Sequence, residues 1–334
     1  MRGMTTIHQR LSTAVRIISA VTLLGVLTGC NSPTTPTPDA WTLSCPANIS
    51  VEANAGTSPP VTYSDPIADG ATAPVTVSCT PPSGASFASG ATPILCTGRD
   101  ARGRIATCGF TVTIVAIPVL SAVRFTAFGD SITYGVVSPR AILLAVEIPE
   151  SYPYKLRTML QARYGTQVIR VDNEGWPGER SVEGVSRLPM IIGSNRPEVL
   201  LLLEGANDLL LGGEREIPTI ISSLRTMVRY ARGQGVRVLL ATHPPARPET
   251  LRGRIAPFIP PLNAQITSLA SAEGATLVDL GSAFGTDTLE VIGQDGLHPT
   301  EQGYELMAKT FFDVVRQEFE PAAADAFPSR AGTR

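Results

Sequence analysis

From Ser121 onward, five short apolar runs alternate with stretches of helical periodicity, and this alternation restricts the fold more than any other property of the chain. The runs are Val123–Phe128, Val168–Val171, Val199–Leu203, Val236–Ala241 and Ala275–Leu280. Their continuous apolar character reads as strands buried on both faces. The clearest intervening helix carries Ile217, Ile220, Ile221, Leu224, Met227 and Ala231 at helical spacing and ends at Gly233 and Gly235. A last helix, Thr300 to Phe319, has Thr300 as its N-cap and Met307, Phe311, Val314 and Val315 on one stripe. Strands alternating with helices predict a parallel, doubly wound α/β sheet. Such sheets bind ligands at the carboxyl ends of their strands.

Upstream, residues 41–118 have another texture, rich in Thr, Ser, Pro, Gly and Ala. Phe110, Val112 and Ile114 share one face and Thr111 and Thr113 the other, the period-two pattern of a half-buried strand. Turn signals at Pro81-Pro82-Ser83-Gly84 and Asp100-Ala101-Arg102-Gly103 punctuate the region, which predicts seven or so short strands in a small all-β sandwich. Four of the five cysteines, Cys45, Cys79, Cys96 and Cys108, lie here. An even number in one small region predicts two disulfides made in an oxidising compartment, with all three connectivities open. A zinc site is disfavoured, because no short Cys-x-x-Cys pair and no nearby His is present.

The first residues read as an export segment (1–29): Arg2, Arg10 and Arg16 surround or precede the apolar run Ile17–Leu27, and no acidic residue occurs before Asp39. That run falls short of the ~20 residues a spanning helix needs. It ends in Leu27-Thr28-Gly29-Cys30, which resembles the lipobox of bacterial lipoproteins. The resemblance implies cleavage before Cys30, lipidation of its sulfur and a membrane anchor. Asn31 in place of Asp points by the same analogy to the outer membrane. Residues 30–40, rich in Pro and Thr, read as a solvated tether, and residues 321–334 as a disordered tail.

The chemistry-bearing residues lie in four stretches at the ends of predicted strands or before the last helix. They are Phe128-Gly129-Asp130-Ser131-Ile132-Thr133, Asn173-Glu174-Gly175-Trp176-Pro177-Gly178, Glu204-Gly205-Ala206-Asn207-Asp208 and Asp295-Gly296-Leu297-His298-Pro299. A serine hydroxyl attacks only when a base takes its proton. Of three histidines, His8 leaves with the export segment, and His298 has a carboxylate, Asp295, one loop turn away to fix its tautomer. His243, in Thr242-His243-Pro244-Pro245, has none so near and reads as a loop histidine by the pocket wall. Ser131 can also serve as the N-cap of the following helix.

These stretches, in this order, resemble the four signature blocks of SGNH/GDSL hydrolases. The resemblance implies a three-layer α/β/α, flavodoxin-like fold over residues 121–320 and catalysis by Ser131, His298 and Asp295. It implies an oxyanion hole from the Ser131 N–H, the Gly178 N–H and the Asn207 amide. Ala206 departs from the Thr common there, and Gly175 reads as a turn residue. Asp130 and Asp208 read as loop-fixing partners. The cysteine-bearing segments of residues 41–118 resemble a hyalin-repeat (HYR) module, which implies an immunoglobulin-like sandwich and contacts with envelope or extracellular partners.

With 27 basic and 29 acidic side chains, a net charge of −2 and no Lys/Arg-rich patch, the chain offers nothing to nucleic acid. No metal-ligand cluster, phosphate loop or dinucleotide fingerprint is present, so no cofactor is expected, and the Gly-x-Ser-x-Gly elbow is missing. The expected activity is carboxylic ester hydrolysis through an acyl-serine. Lysophospholipid, thioester and acetylated-glycan substrates remain open, as does a silent surface-binding lipoprotein. The 136–150 connection reads as either a lid or an extra packed helix.

Overall fold

The computed structural model describes residues 40–138, 145–146, 148–286 and 288–321. The export segment, Cys30, the tether up to residue 39, the tail beyond residue 321 and the centre of the 136–150 connection lie outside these residues.

Six strands make up the first part: β1 (Thr42–Ser44), β2 (Ile49–Asn54), β3 (Ile67–Asp69), β4 (Thr76–Thr80), β5 (Gly90–Arg99) and β6 (Ile105–Ile117). One sheet has the order β2-β6-β5-β4, with β2 parallel to β6 and the other pairs antiparallel; β1 and β3 pair in a second. Alternate residues of β5 and β6, among them Ile94, Cys96, Phe110, Val112 and Ile114, point inward onto Trp41, Leu43, Val61 and Phe87. The strands number six among the described residues rather than seven, because much of the Thr/Pro-rich stretch between β2 and β4 runs as loop. The pairing left open by the sequence is Cys45–Cys108 and Cys79–Cys96, closing 63 and 17 residues.

The second part holds a five-stranded, all-parallel sheet. Its strands are β7 (Arg124–Gly129), β10 (Arg170–Gly175), β11 (Val199–Leu203), β12 (Arg237–Ala241) and β13 (Thr276–Val278), in the order β10-β7-β11-β12-β13. Two short strands, β8 (Val136–Val137) and β9 (Ala145–Val146), pair antiparallel beyond β7, so this part of the connection is a strand pair and not a helix. The helices are α1 (Ser131–Tyr134), α2 (Tyr152–Arg163), α3 (Ser181–Asn195), α4 (Ala206–Gly212), α5 (Ile217–Gly233), α6 (Ile259–Glu273), α7 (Leu280–Phe284) and α8 (Glu301–Phe319). Helix α2 packs with α8, and α3 with α5 and α5 with α6, which sets a helical layer on each side of the sheet. Between α2 and α8 the rings of Tyr152 and Phe311 stack at 4.9 Å. Thr300 caps α8 by accepting from the Gly303 N–H at 3.2 Å.

Strand β11 is buried throughout, as its apolar run predicts. The run Val168–Val171 behaves differently. Val168 is 87% exposed, and the strand starts at Arg170 and continues through Asp172, Asn173 and Glu174. As β10 is an edge strand, its polar residues satisfy their backbone groups against β7 without full burial on either face.

Closure of the longer loop should stabilise more. Removing Cys45–Cys108 by paired Cys→Ala changes should cost about 4 kcal/mol, against about 3 kcal/mol for Cys79–Cys96, in urea unfolding of the protein.

Candidate active site

Strand β7 ends at Gly129, and the chain turns at once into α1. Asp130 caps this helix, its Oδ1 accepting from the Ile132 N–H at 2.9 Å. The N-cap is therefore Asp130 and not Ser131, which opens the helix and is only 7% exposed. Ser131 Oγ lies 2.9 Å from His298 Nε2, and His298 Nδ1 lies 2.5 Å from Asp295 Oδ2. Asp295 Oδ1 also accepts from the Leu297 and His298 N–H groups, both at 3.1 Å, so one carboxylate shapes the turn and faces the imidazole. Partial burial would raise the Asp295 carboxyl, but the His298 hydrogen bond and charge, with these N–H groups, hold it below the ordinary value. A hydroxyl, imidazole and carboxylate so connected can pass the hydroxyl proton to the ring and stabilise the imidazolium that forms.

The loop after β12 braces this turn. Arg247 N–H donates to Gly296 O at 2.9 Å, Arg252 N–H donates to Asp295 O at 3.2 Å, and Thr250 Oγ1 lies 2.9 Å from Asp295 O.

Gly178 follows β10 at φ +86°, a conformation that disfavours any side chain. With Asn207, Arg180, Leu210 and Leu211 it lines a shallow depression of about 420 Å3. The Asn207 amide donates to Glu179 O at 2.8 Å and to Asp130 Oδ2 at 3.3 Å. Gly175 has a packing reason beyond a turn: a Cβ there would lie 2.0 Å from the Tyr134 nitrogen, so α1 can approach β10 only over a glycine.

Asp208 fixes the start of α3, its two oxygens accepting from Ser181 N–H at 2.9 Å and Ser181 Oγ at 2.8 Å. His243 is buried, with Nε2 2.9 Å from Glu204 O, and burial pushes its pKa down. It does not meet Ser131; Asn263 brackets its backbone on both sides.

Two buried carboxylates near these groups, Glu179 and Glu204, and the partly buried Arg187 had no role in the sequence reading. Glu179 pairs with Arg187 of α3, with Arg187 Nε at 2.7 Å from Oε1 and Nη2 at 2.5 Å from Oε2. Glu204 is almost wholly buried, and its carboxyl is pushed well above the ordinary value by burial and then by the nearby Asp130. A charged residue directly after five buried apolar ones was the only signal of it. Asp130 is raised to about 6, by burial first and then by Asp208 and Glu179, against its N–H bond and His298.

An open parallel sheet with a serine, a histidine and an aspartate joined at its carboxyl edge carries the groups that serine hydrolases use. The pattern of the GDSL-like Lipase/Acylhydrolase family matches residues 127–306, more than half of the chain, and the chain belongs to this family. It is an ester-hydrolysing enzyme. The HYR domain pattern matches residues 37–114. The lipase/acylhydrolase from Enterococcus faecalis is 24% identical, with a TM-score of 0.50 over 60% of this chain and 98% of that one. The inhibitor-bound aryl esterase of M. smegmatis is 23% identical, with a TM-score of 0.50 over 59% of this chain and 99% of its own. These likenesses establish the fold. No curated protein matches the chain significantly.

Asp130 keeps its proton up to about pH 6 when folded and only to its ordinary value of 3.8 when unfolded. Between these values the folded state binds more protons, so stability falls as pH rises, by roughly 3 kcal/mol in all. The Asp130→Asn variant lacks this component. Its unfolding free energy relative to wild type should therefore rise from about pH 4 to about pH 6 and then level off, read by urea titration at each pH.

Proposed function

We propose that the protein cleaves carboxylic esters through a covalent acyl intermediate on Ser131. Ser131 Oγ attacks the carbonyl carbon while its proton passes to His298 Nε2, and Asp295 stabilises the imidazolium at Nδ1. The negative oxygen of the tetrahedral intermediate is received by the N–H groups of Ser131 and Gly178 and by the Asn207 amide. Collapse expels the alkoxide, which takes the proton from His298. Water then gives its proton to His298 as it attacks the acyl carbon; the second tetrahedral intermediate collapses, Ser131 Oγ takes that proton back and the carboxylic acid leaves. The observation that carries this reading is the unbroken contact from Ser131 through His298 to Asp295, at 2.9 and 2.5 Å. For the Asn207 amide, the 3.3 Å bond to Asp130 is the weaker of its two and the one to exchange for the oxyanion.

Trp176 and Leu211, 62% and 69% exposed, flank Gly178 and Asn207 in the chain or around the depression. They favour an ester with an apolar acyl or aryl group over an acetylated glycan, by offering hydrophobic contact beside the carbonyl. Cys30 anchors the enzyme as an exported lipoprotein in this reading, and the HYR domain supplies contacts with envelope or extracellular partners.

Purified protein should hydrolyse aryl esters, with longer acyl chains preferred to acetate. Ser131→Ala and His298→Ala should each lose at least about 10³-fold, and Asn207→Ala roughly 10²–10³ in kcat. Wild-type turnover by Ser131→Ala would sink the mechanism. Cys30→Ala should abolish incorporation of labelled palmitate into the protein by the cells that make it; unchanged incorporation removes the anchor.

A further inference from the structure

One guanidinium ties together three of the segments that form the site. Arg187, on α3 and mostly buried, grips the Glu179 carboxylate with Nε and Nη2. The same Nη2 donates to Glu174 O, near the end of β10, at 3.0 Å, and lies 3.4 Å from Gly129 O, the last residue of β7. Its carbon sits 4.0 Å from the centre of the Phe128 ring, which fixes the plane of the group. Gly129 lies two residues before Ser131, and its carbonyl also accepts from the Trp176 N–H at 2.8 Å.

The far side of Glu179 matters as much. Its carbonyl accepts from the Asn207 amide at 2.8 Å, its N–H donates to Trp176 O at 3.1 Å, and Gly178 immediately precedes it. Whatever fixes Glu179 therefore fixes the amide of Asn207 and the peptide that carries the Gly178 N–H. Around the pair lie Asp130, Glu204 and Asp208, all buried, so Arg187 also supplies positive charge to a carboxylate-rich interior. A stability-only ion pair would need neither the two carbonyl contacts nor the link through the Glu179 peptide. A lysine ammonium, as a point donor, cannot match this planar, multi-headed contact.

We propose that Arg187, acting through Glu179, is the positioning residue that holds the Gly178 and Asn207 donors at the spacing required by the oxyanion on Ser131. The proposal rests on the acyl-serine reading given above. Arg187 touches no substrate atom in it. Its contribution arises in the tetrahedral state, where misplaced donors weaken binding of the developing charge.

The test uses the full-length protein, with rates normalised to active sites titrated by a fluorophosphonate. Arg187→Lys should lower kcat roughly 10²-fold with KM changed less than about twofold, since one donor lost typically costs 10²–10³ in rate. Affinity for phenylboronic acid should fall by the same factor, because its boron gains a fourth bond from Ser131 Oγ and presents an oxygen to the same donors. The double variant Arg187→Lys/Asn207→Ala should be slower than Asn207→Ala by a smaller factor than Arg187→Lys is slower than wild type, because Asn207 is one of the two donors that Arg187 holds. Additive losses, or wild-type kcat per titrated site with only a lowered Tm, would overturn the proposal and leave Arg187 a structural ion pair. If Arg187→Lys does not fold, Glu179→Gln decides. It should lose about tenfold in kcat and in boronate affinity together, and wild-type values for both overturn the proposal. Failure of the acyl-serine reading looks different: Asn207→Ala would then turn over as wild type, and the boronate would not bind in competition with substrate.

Discussion

Strand β7 is paired on both sides, with β10 and with β11, and the register of those two pairings sets Ser131, Gly178 and Asn207 relative to one another. Gly129 stands opposite Gly175 on one side and Leu203 on the other. The three strands thus finish in one row. The segments that leave them, Asp130–Ser131, Trp176–Gly178 and Glu204–Asn207, emerge as neighbours although they are distant in sequence. A slip of one residue in either pairing would displace one strand end against its neighbour by about 3.3 Å and separate the serine from its amide donors. Glu198 and Glu204 bound the apolar run Val199–Leu203, so a slip would also move a carboxylate into a position that an apolar residue fills. A packing constraint therefore fixes the chemical geometry.

The interior behind this row is electrostatically costly. Asp130, Glu179, Glu204 and Asp208 are each at most 5% exposed. Burying carboxylates is unfavourable unless they are paired, capped by N–H groups or protonated, and the structure uses all three solutions. Glu179 is paired with Arg187, Asp208 is held by Ser181, and Glu204 is driven toward its neutral form by burial. An apolar core of the same volume would hold together without any of this. The polar arrangement instead orients the amide of Asn207 and the turn carrying Gly178, so stability is exchanged for preorganisation.

Sequence periodicity registers burial, and burial alone. It therefore located β11 to the residue and the stripe of α8, whose Thr300 cap is a local hydrogen bond. It misplaced β10, because an edge strand forms its ladder with residues such as Asp172 and Asn173 that carry no apolar signal. At the site, the Asp295–His298 relation was legible because its turn is closed by hydrogen bonds within three residues. Ser131 lies 167 residues from His298 and was legible only through its setting at a strand end. Arg187 and Glu179 were not, since their partners at Glu174, Gly129 and Asn207 are supplied by tertiary structure. The disulfide pairing was hidden for the same reason.

The Cys45–Cys108 bridge joins the segment after the first strand, β1, to the start of the last strand, β6. A pull applied between Ala40 and Pro118 is therefore carried through a covalent bond, and the residues between the two cysteines are loaded only through their hydrogen bonds to segments outside them. What extends is limited to the few residues on either side of the bridge. One of these, the Val112–Ile117 half of β6, is parallel to Ile49–Asn54, so its hydrogen bonds are loaded together in shear rather than opened one by one. The all-β part thus behaves mechanically as a short, nearly inextensible link, and its length under tension stays close to its length at rest.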